Sequence, residues 1–244
     1  MQVTPVGTRG RYFSFPLGDD ATGIYVIDGH HRWVVVDTAL GPGAIAEVRS
    51  HLGARLESKP VVVVNTHSHF DHVWGNCAFA GSTIIAHRLC RESFTDGRVG
   101  RYLANHSERQ MGPVALVPPT LTFESRLCLA DDGIELIHSP GHTLGSISVI
   151  DRDEGVLYAG DNIGLPIPSL YPGTTAEAFI GTLETYLALD LSRLVTSHYG
   201  EVSWDLVADH LTYLRAVCDG DTFAYDHGDL KVFNDWNLRM LARG

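Results

Sequence analysis

Cysteine is scarce in this chain, and basic residues are outnumbered by acidic ones. Cys77, Cys90, Cys128 and Cys218 lie far apart, with no Cys-x-x-Cys pair. That spacing argues against the dense disulfide framework of a small secreted module, and the thiols are expected to be free and buried. With 18 Lys and Arg against 29 Asp and Glu, the formal net charge is −11. So acidic a surface repels phosphate backbones and anionic lipid, so neither nucleic acid nor a membrane is an expected partner. No run approaches the roughly 18 apolar residues of a membrane span, and the N-terminus lacks the basic start, apolar middle and small-residue cleavage site of a secretion signal. A cytoplasmic protein is the expectation. Low-complexity tracts and internal repeats are also lacking; 244 residues with 44% hydrophobic content can bury one sizeable core, so 1–244 is read as a single domain.

What is present is an alternation of short apolar runs and periodic segments. Ile24 to Ile27 and Trp33 to Asp37 flank the turn Asp28-Gly29-His30 and read as a hairpin. Gly41-Pro42-Gly43 opens a helix with Ile45, Val48 and Leu52 on one face. Val61 to Val64 and Thr83 to Ala86 are strands, separated by a short helix from about Asp71 through Asn76. From about 88 to 120 no clean period survives, and this stretch reads as an insertion over a site mouth. Strands resume at Leu121–Phe123, Leu127–Leu129, Ile134–Ile137, Ile147–Ile150 and Val156–Tyr158. A helix over Thr175 to Leu187, a strand at Leu194–Thr196 and a helix capped by Ser203, with Val207, Leu211, Leu214 and Cys218 along its stripe, follow. Residues 219–244, with Phe233, Trp236, Leu238 and Leu241, suggest a terminal helix packing on its own chain. Composition alone gives a mixed α and β protein.

The chemistry concentrates directly after the strand Val61 to Val64, in His67-Ser68-His69-Phe70-Asp71-His72. Four imidazoles or carboxylates within six residues point to a divalent cation, and nitrogen and oxygen donors suit zinc, iron or manganese. Three further segments fall where apolar runs meet turn residues: Ser139-Pro140-Gly141-His142-Thr143-Leu144-Gly145-Ser146, Tyr158-Ala159-Gly160-Asp161-Asn162 and Thr196-Ser197-His198-Tyr199-Gly200.

In this order the four segments resemble the metallo-β-lactamase superfamily, whose ligands read His-x-His-x-Asp-His, then His, Asp and His. The resemblance implies an αββα sandwich, an α/β (α+β) fold of two facing mixed β-sheets with helices outside. It further implies two divalent metal ions, zinc first and iron or manganese as alternatives. His67, His69 and His142 would surround one ion; Asp71, His72 and His198 the other; Asp161 would bridge them, with Asp71 and Asp161 as the catalytic carboxylates. The implied activity is hydrolysis of a small ester, thioester, lactone or lactam by a metal-bridging hydroxide. The glycine-cysteine-glycine-arginine stretch of glyoxalase-type thioesterases is missing after Asp161, which counts against that subfamily, and the presence of Asp161 itself counts against antibiotic hydrolysis. Persulfide dioxygenases are also similar and would use one iron on His67, His142 and Asp161; a metal-binding protein without catalysis is a third reading. Asp37 resembles a carboxylate orienting a ligand loop, against the plainer reading of a turn cap. Tyr171 and Tyr199 are candidate oxyanion donors, more commonly packing residues. His87 is read as structural, His106 belongs to the insertion, and a homodimer is compatible with the sequence.

Overall fold

The structure, a computed structural model, describes residues 1–242. Its first sheet takes the strands in chain order: β1 (Gln2–Val6), β2 (Gly10–Leu17), β3 (Asp20–Asp28), β4 (Trp33–Val36), β5 (Val61–Val64), β6 (Thr83–His87) and β7 (Leu121–Phe123). The first four pair antiparallel and the rest parallel. The switch coincides with the first helix, α1 (Pro42–Leu52), because a parallel return requires a crossover. The second sheet runs β13 (Gly200–Val202), β12 (Arg193–Thr196), β11 (Val156–Tyr158), β10 (Ile147–Asp151), β9 (Ile134–His138), β8 (Arg126–Leu129). Only β11 and β12 are parallel in it.

Why β4 and β5 read as unbroken apolar runs is now plain. Val34, Val36 and Val64 point between the sheets, where they meet Leu136, Val149 and Val195. Trp33, Val35 and Val63 point outward under Ile45, Val48 and Leu52 of α1. A strand covered on both faces has no polar side to show. Tyr25 and Tyr158 stack across the interior at 5.4 Å, joining the two sheets. On the outside of the second sheet, α5 (Ala176–Leu187) and α6 (Asp205–Asp219) bury Phe179, Leu183, Val207 and Leu211. Each such apolar side chain contributes about 1.5–3 kcal/mol. The result is an αββα sandwich.

Several details differ from the sequence reading. Strands β1, β2 and β13 were not anticipated. Residues 88–119, aperiodic overall, contain two short helices, α3 (Arg88–Thr95) and α4 (Arg98–Asn105), following α2 (Phe70–Val73) in chain order. Each is only eight residues long, too short to establish a repeat. The thiols are free, but Cys128 and Cys218 are exposed and Cys77 is half-buried; only Cys90 is buried. Cys218 therefore lies off the apolar stripe of α6. Trp204 occupies the cap position of that helix, and Ser203 contributes by accepting from the Asp205 amide at 3.2 Å. The terminal helix α7 (Gly228–Leu241) does pack on its own chain: Trp236 Nε1 donates to Leu170 O at 3.1 Å, and Asn237 donates to Pro168 O at 2.7 Å. Arg243 and Gly244 of that segment lie outside the described residues.

Candidate metal centre

Five chain segments meet at one end of the sandwich, each just past a strand: Asp37 after β4, His67 to His72 after β5, His142 between β9 and β10, Asp161 after β11 and His198 between β12 and β13. Rigid strands aim these loops, so residues distant in sequence converge. Donor atoms of His67, His69, His142 and Asp161 all lie within 4.8 Å of one another, and those of Asp71, His72 and His198 form a second such group.

Asp161 connects the groups. Its Oδ2 lies 3.6 Å from His67 Nε2, 3.5 Å from His142 Nε2, 3.3 Å from His72 Nε2 and 3.2 Å from His198 Nε2. Gly160 beside it has φ +60°, a left-handed turn that glycine adopts without strain. Gly141 is needed for a different reason: a Cβ there would come within 2.4 Å of the Phe179 ring.

The outward nitrogens of four of the histidines are already engaged. His72 Nδ1 meets Asp37 Oδ2 at 2.8 Å, His142 Nδ1 meets Ser169 O at 2.9 Å, and His198 Nδ1 meets Ala21 O at 2.5 Å. His67 Nδ1 lies 3.1 Å from Thr66 Oγ1, whose own proton goes to Asp37 Oδ2 at 2.7 Å. Each acceptor fixes an Nδ1–H tautomer and leaves an Nε2 lone pair facing inward. His69 presents Nδ1 instead, 3.0 Å from His67 Nε2 and 3.1 Å from His142 Nε2. One His69 proton can serve only one of these two acceptors. Buried His72 Nε2 and Asp161 Oδ1 have no hydrogen-bond partner. More inward lone pairs than protons to share among them are the arrangement that cations satisfy, so the residues fit a metal pair.

The electrostatics agree. Burial pushes His69 down to about 3, reinforced by His142, and pushes His67 and His142 below the usual imidazole range. Neutral imidazole is the form that ligates. Burial would raise Asp71 and Asp161, but His72 and His198 outweigh it and hold Asp71 at about 2 and Asp161 well below the carboxylate range. In return, and against burial, Asp161 and Asp71 draw His198 up to about 10 and His72 well above its usual value. Two ionised carboxylates in a buried pocket thus attract positive charge from whatever source is present.

Asp37 is more than a turn cap. Fully buried, it accepts from the Thr66 amide, the Thr66 hydroxyl and His72, so one carboxylate orients two of the histidines. Its φ of +61° is uncommon for a residue with a side chain. Asn162 was missed from sequence: its Oδ1 accepts from the His142 amide at 2.9 Å, while its Nδ2 donates to Ser139 O and Tyr186 at 2.8 Å. Its position next to Asp161 was the available signal. Ala21 and Ser169 act through backbone carbonyls, and nothing in their side chains could announce that. His87 is structural, donating through Nε2 to Glu124 O at 3.0 Å and stacking on His138. Tyr171 packs on the rings of His69 and His142 at 4.3 and 4.7 Å, whereas the Tyr199 hydroxyl donates to Leu165 O at 3.4 Å.

Comparison with known proteins agrees with this arrangement. The Metallo-beta-lactamase superfamily matches residues 17–198, a span that includes all seven converging residues. The alpha subunit of 2,4-dinitroanisole O-demethylase from Nocardioides sp. (strain JS1661) is 29% identical over 252 residues, covering 96% of this chain and 70% of that protein. The acyl-coenzyme A thioesterase MBLAC2 of Bos taurus is 27% identical over 190 residues, covering 68% and 67%. Among solved structures, the metallo-beta-lactamase from Pontibacter korlensis superposes with a TM-score of 0.66 at 18% identity, covering 88% of this chain and 98% of that one, a likeness of fold. No helix among the described residues is long and apolar enough to cross a membrane. From profile, architecture and convergent site together, the chain belongs to the metallo-β-lactamase superfamily.

Proposed function

We propose that this protein is a binuclear, metal-dependent hydrolase of small acyl substrates: esters or thioesters first, lactones or lactams within the same chemistry. The observation that carries the reading is the reach of Asp161 Oδ2 to four imidazole nitrogens drawn from both groups of donors. His67, His69 and His142 would hold one ion, and Asp71, His72 and His198 the other, with Asp161 shared. A donor set of imidazole and carboxylate without thiolate suits zinc. Divalent cations in such a pocket supply Lewis acidity, lowering the pKa of water from near 16 to roughly 7 and polarising a carbonyl.

The chain's own residues do the rest. Asp37, Ser169 and Ala21 keep the histidines in one tautomer and one orientation, so no reorganisation is needed during reaction. Asp71, whose Oδ2 lies 3.4 Å from His72 Nε2 and 3.8 Å from His198 Nε2, is a carboxylate placed to orient an attacking water and take its proton. Tyr171 walls the site against His69 and His142; its hydroxyl has no partner among the described residues and can donate to an oxygen on the substrate. The thioesterase relative supports an acyl substrate, and the O-demethylase relative makes aryl methyl ethers a useful second class to assay.

The test is metal analysis of the purified protein followed by turnover of thioesters, esters, lactones, β-lactams, phosphoesters, aryl methyl ethers and persulfides on one metal-defined batch. Two equivalents of metal and chelator-sensitive acyl hydrolysis are expected. One iron with oxygen uptake on a persulfide, or no acyl turnover at all, would overturn the reading.

A further inference from the structure

Two cavities meet at His69. The smaller, about 280 Å³, is lined by five of the candidate ligands, His69, Asp71, His142, Asp161 and His198, and its charged border is three carboxylates, Asp20, Asp71 and Asp161, against one guanidinium, Arg109. The larger, about 410 Å³, extends from His69 between α3, α4 and the loop that carries His142; His69, Tyr102 and Tyr171 border both. Its lining is partly apolar, with Leu89, Leu144 and Pro172, and it includes no Asp or Glu. The charged side chains there are Arg98 and Arg101, in a chain whose net charge is −11.

That local reversal of sign is built into α4. Arg98, Arg101, Tyr102 and Asn105 follow i, i+3, i+4, i+7 and share the face that borders the cavity. Val99 and Leu103 occupy the other face and pack with Val73, Trp74 and Phe70, so apolar burial sets the rotation of the helix and turns the arginines to the cavity. Arg98 uses its Nε on Asp96 Oδ2 at 2.7 Å, and Asp96 is not part of the cavity lining. Arg101 makes one long bond, to the Asp96 carbonyl at 3.4 Å, and has no carboxylate at ion-pair distance among the described residues.

We propose that this second cavity binds an oxyanion carried by the substrate: a small acyl ester or thioester in which a carboxylate or phosphate, a short apolar spacer away from the scissile carbonyl, is met by Arg98 and Arg101. The inference rests on the hydrolase reading for the identity of the reacting group. Guanidinium is suited to the task because its fixed fork of donors matches a planar carboxylate or a phosphate face, and the acidic remainder of the surface repels such groups elsewhere.

Three probes on the metal-loaded protein separate the outcomes: para-nitrophenyl hexanoate, the mono-para-nitrophenyl ester of adipate, and the para-nitrophenyl ester of phosphorylated ω-hydroxyhexanoate. The wild type should prefer an anionic ester, and the larger preference identifies carboxylate or phosphate as the natural group. Arg101→Ala, alone and with Arg98→Ala, should raise KM for the preferred anionic ester about tenfold, from the loss of a charge-assisted hydrogen bond. The kcat and the kinetics on the hexanoate ester should stay the same, and Arg101→Lys should recover part of the loss. Titration calorimetry of adipate monoamide and of hexyl phosphate reads the cavity without turnover. Arginine-dependent anion binding with no ester hydrolysis would support the cavity and sink the hydrolase reading. Equal hydrolysis of neutral and anionic esters, with anion binding unchanged in the double variant, would overturn the cavity proposal and leave the hydrolase reading standing.

Discussion

The floor that carries the candidate metal ligands and the α3–α4 wall face each other across His69, and they are held in place by different means. On the floor, each ligand loop follows a buried strand, and four of the five imidazoles, all but His69, are pinned through the outer nitrogen by a carboxylate, a hydroxyl or a backbone carbonyl. On the wall, polar contacts hold α3 at its rim, where Arg88 pairs with Glu124 and Arg91 donates to the Pro119 carbonyl. Helix α4 is tied to the body by a small apolar cluster, Val99 with Val73 and Trp74, while its polar face is left to meet what enters. The floor's donors are fixed in direction by these contacts. The wall can be altered in sequence without disturbing those donors, and substrate choice is expected to reside there.

That contrast breaks most sharply at Asp37. Asp37→Asn keeps the side-chain volume and tolerates the left-handed backbone, but removes the charge that orients Thr66 and His72. Metal affinity measured by competition with a chelator is expected to fall by about 10- to 100-fold, while anion binding at the wall stays unchanged. Loss of both together would mean that floor and wall are one unit. A smaller effect is expected from the opposite side. Val99→Ala removes two buried methyl groups and should lower stability by about 2 kcal/mol in denaturant unfolding. The KM for the preferred anionic ester should rise as α4 loosens, with metal content intact; metal loss in this variant would erase the distinction.

The smallest effect is a titration. His210 on α6 accepts from the Gly164 amide at 3.2 Å and so anchors the loop that follows Asp161. Burial pushes this imidazole down to about 4. Between an unfolded value near 6.5 and about 4, the unfolded chain takes up a proton that the folded one refuses, so stability declines as pH falls through that window. His210→Gln should flatten the dependence of Tm on pH by at most one proton's worth. An unchanged slope would show that His210 is not a determinant of the loop's acid sensitivity.

Most of the floor was legible because its signals are local. His67 to His72 announces itself within six residues, and the strands that deliver the other ligands are short apolar runs bounded by turns. What stayed hidden depends on contacts between distant segments. The Ala21 carbonyl that fixes His198 comes from a strand with no chemical side chain at that point, and Asn162 matters only because β11 brings it beneath the His142 loop. Strand β2 alternates Tyr12, facing the interior, with Phe13 and Phe15, facing outward; both faces are buried, which blurs the usual polar and apolar alternation. The wall was illegible for want of length. Two turns of helix carry one repeat of a pattern, and the orientation of Arg98 and Arg101 is decided by Val99 finding Trp74, a residue 25 positions earlier in the chain.

Metal counting on two variants tests the central claim most directly. With wild type binding two equivalents, His198→Ala should retain about one and Asp161→Ala should lose its hold on both, since Asp161 Oδ2 reaches two imidazoles of each group. Two tightly held equivalents in Asp161→Ala, or equal losses in the two variants, would contradict a shared carboxylate at the heart of this site.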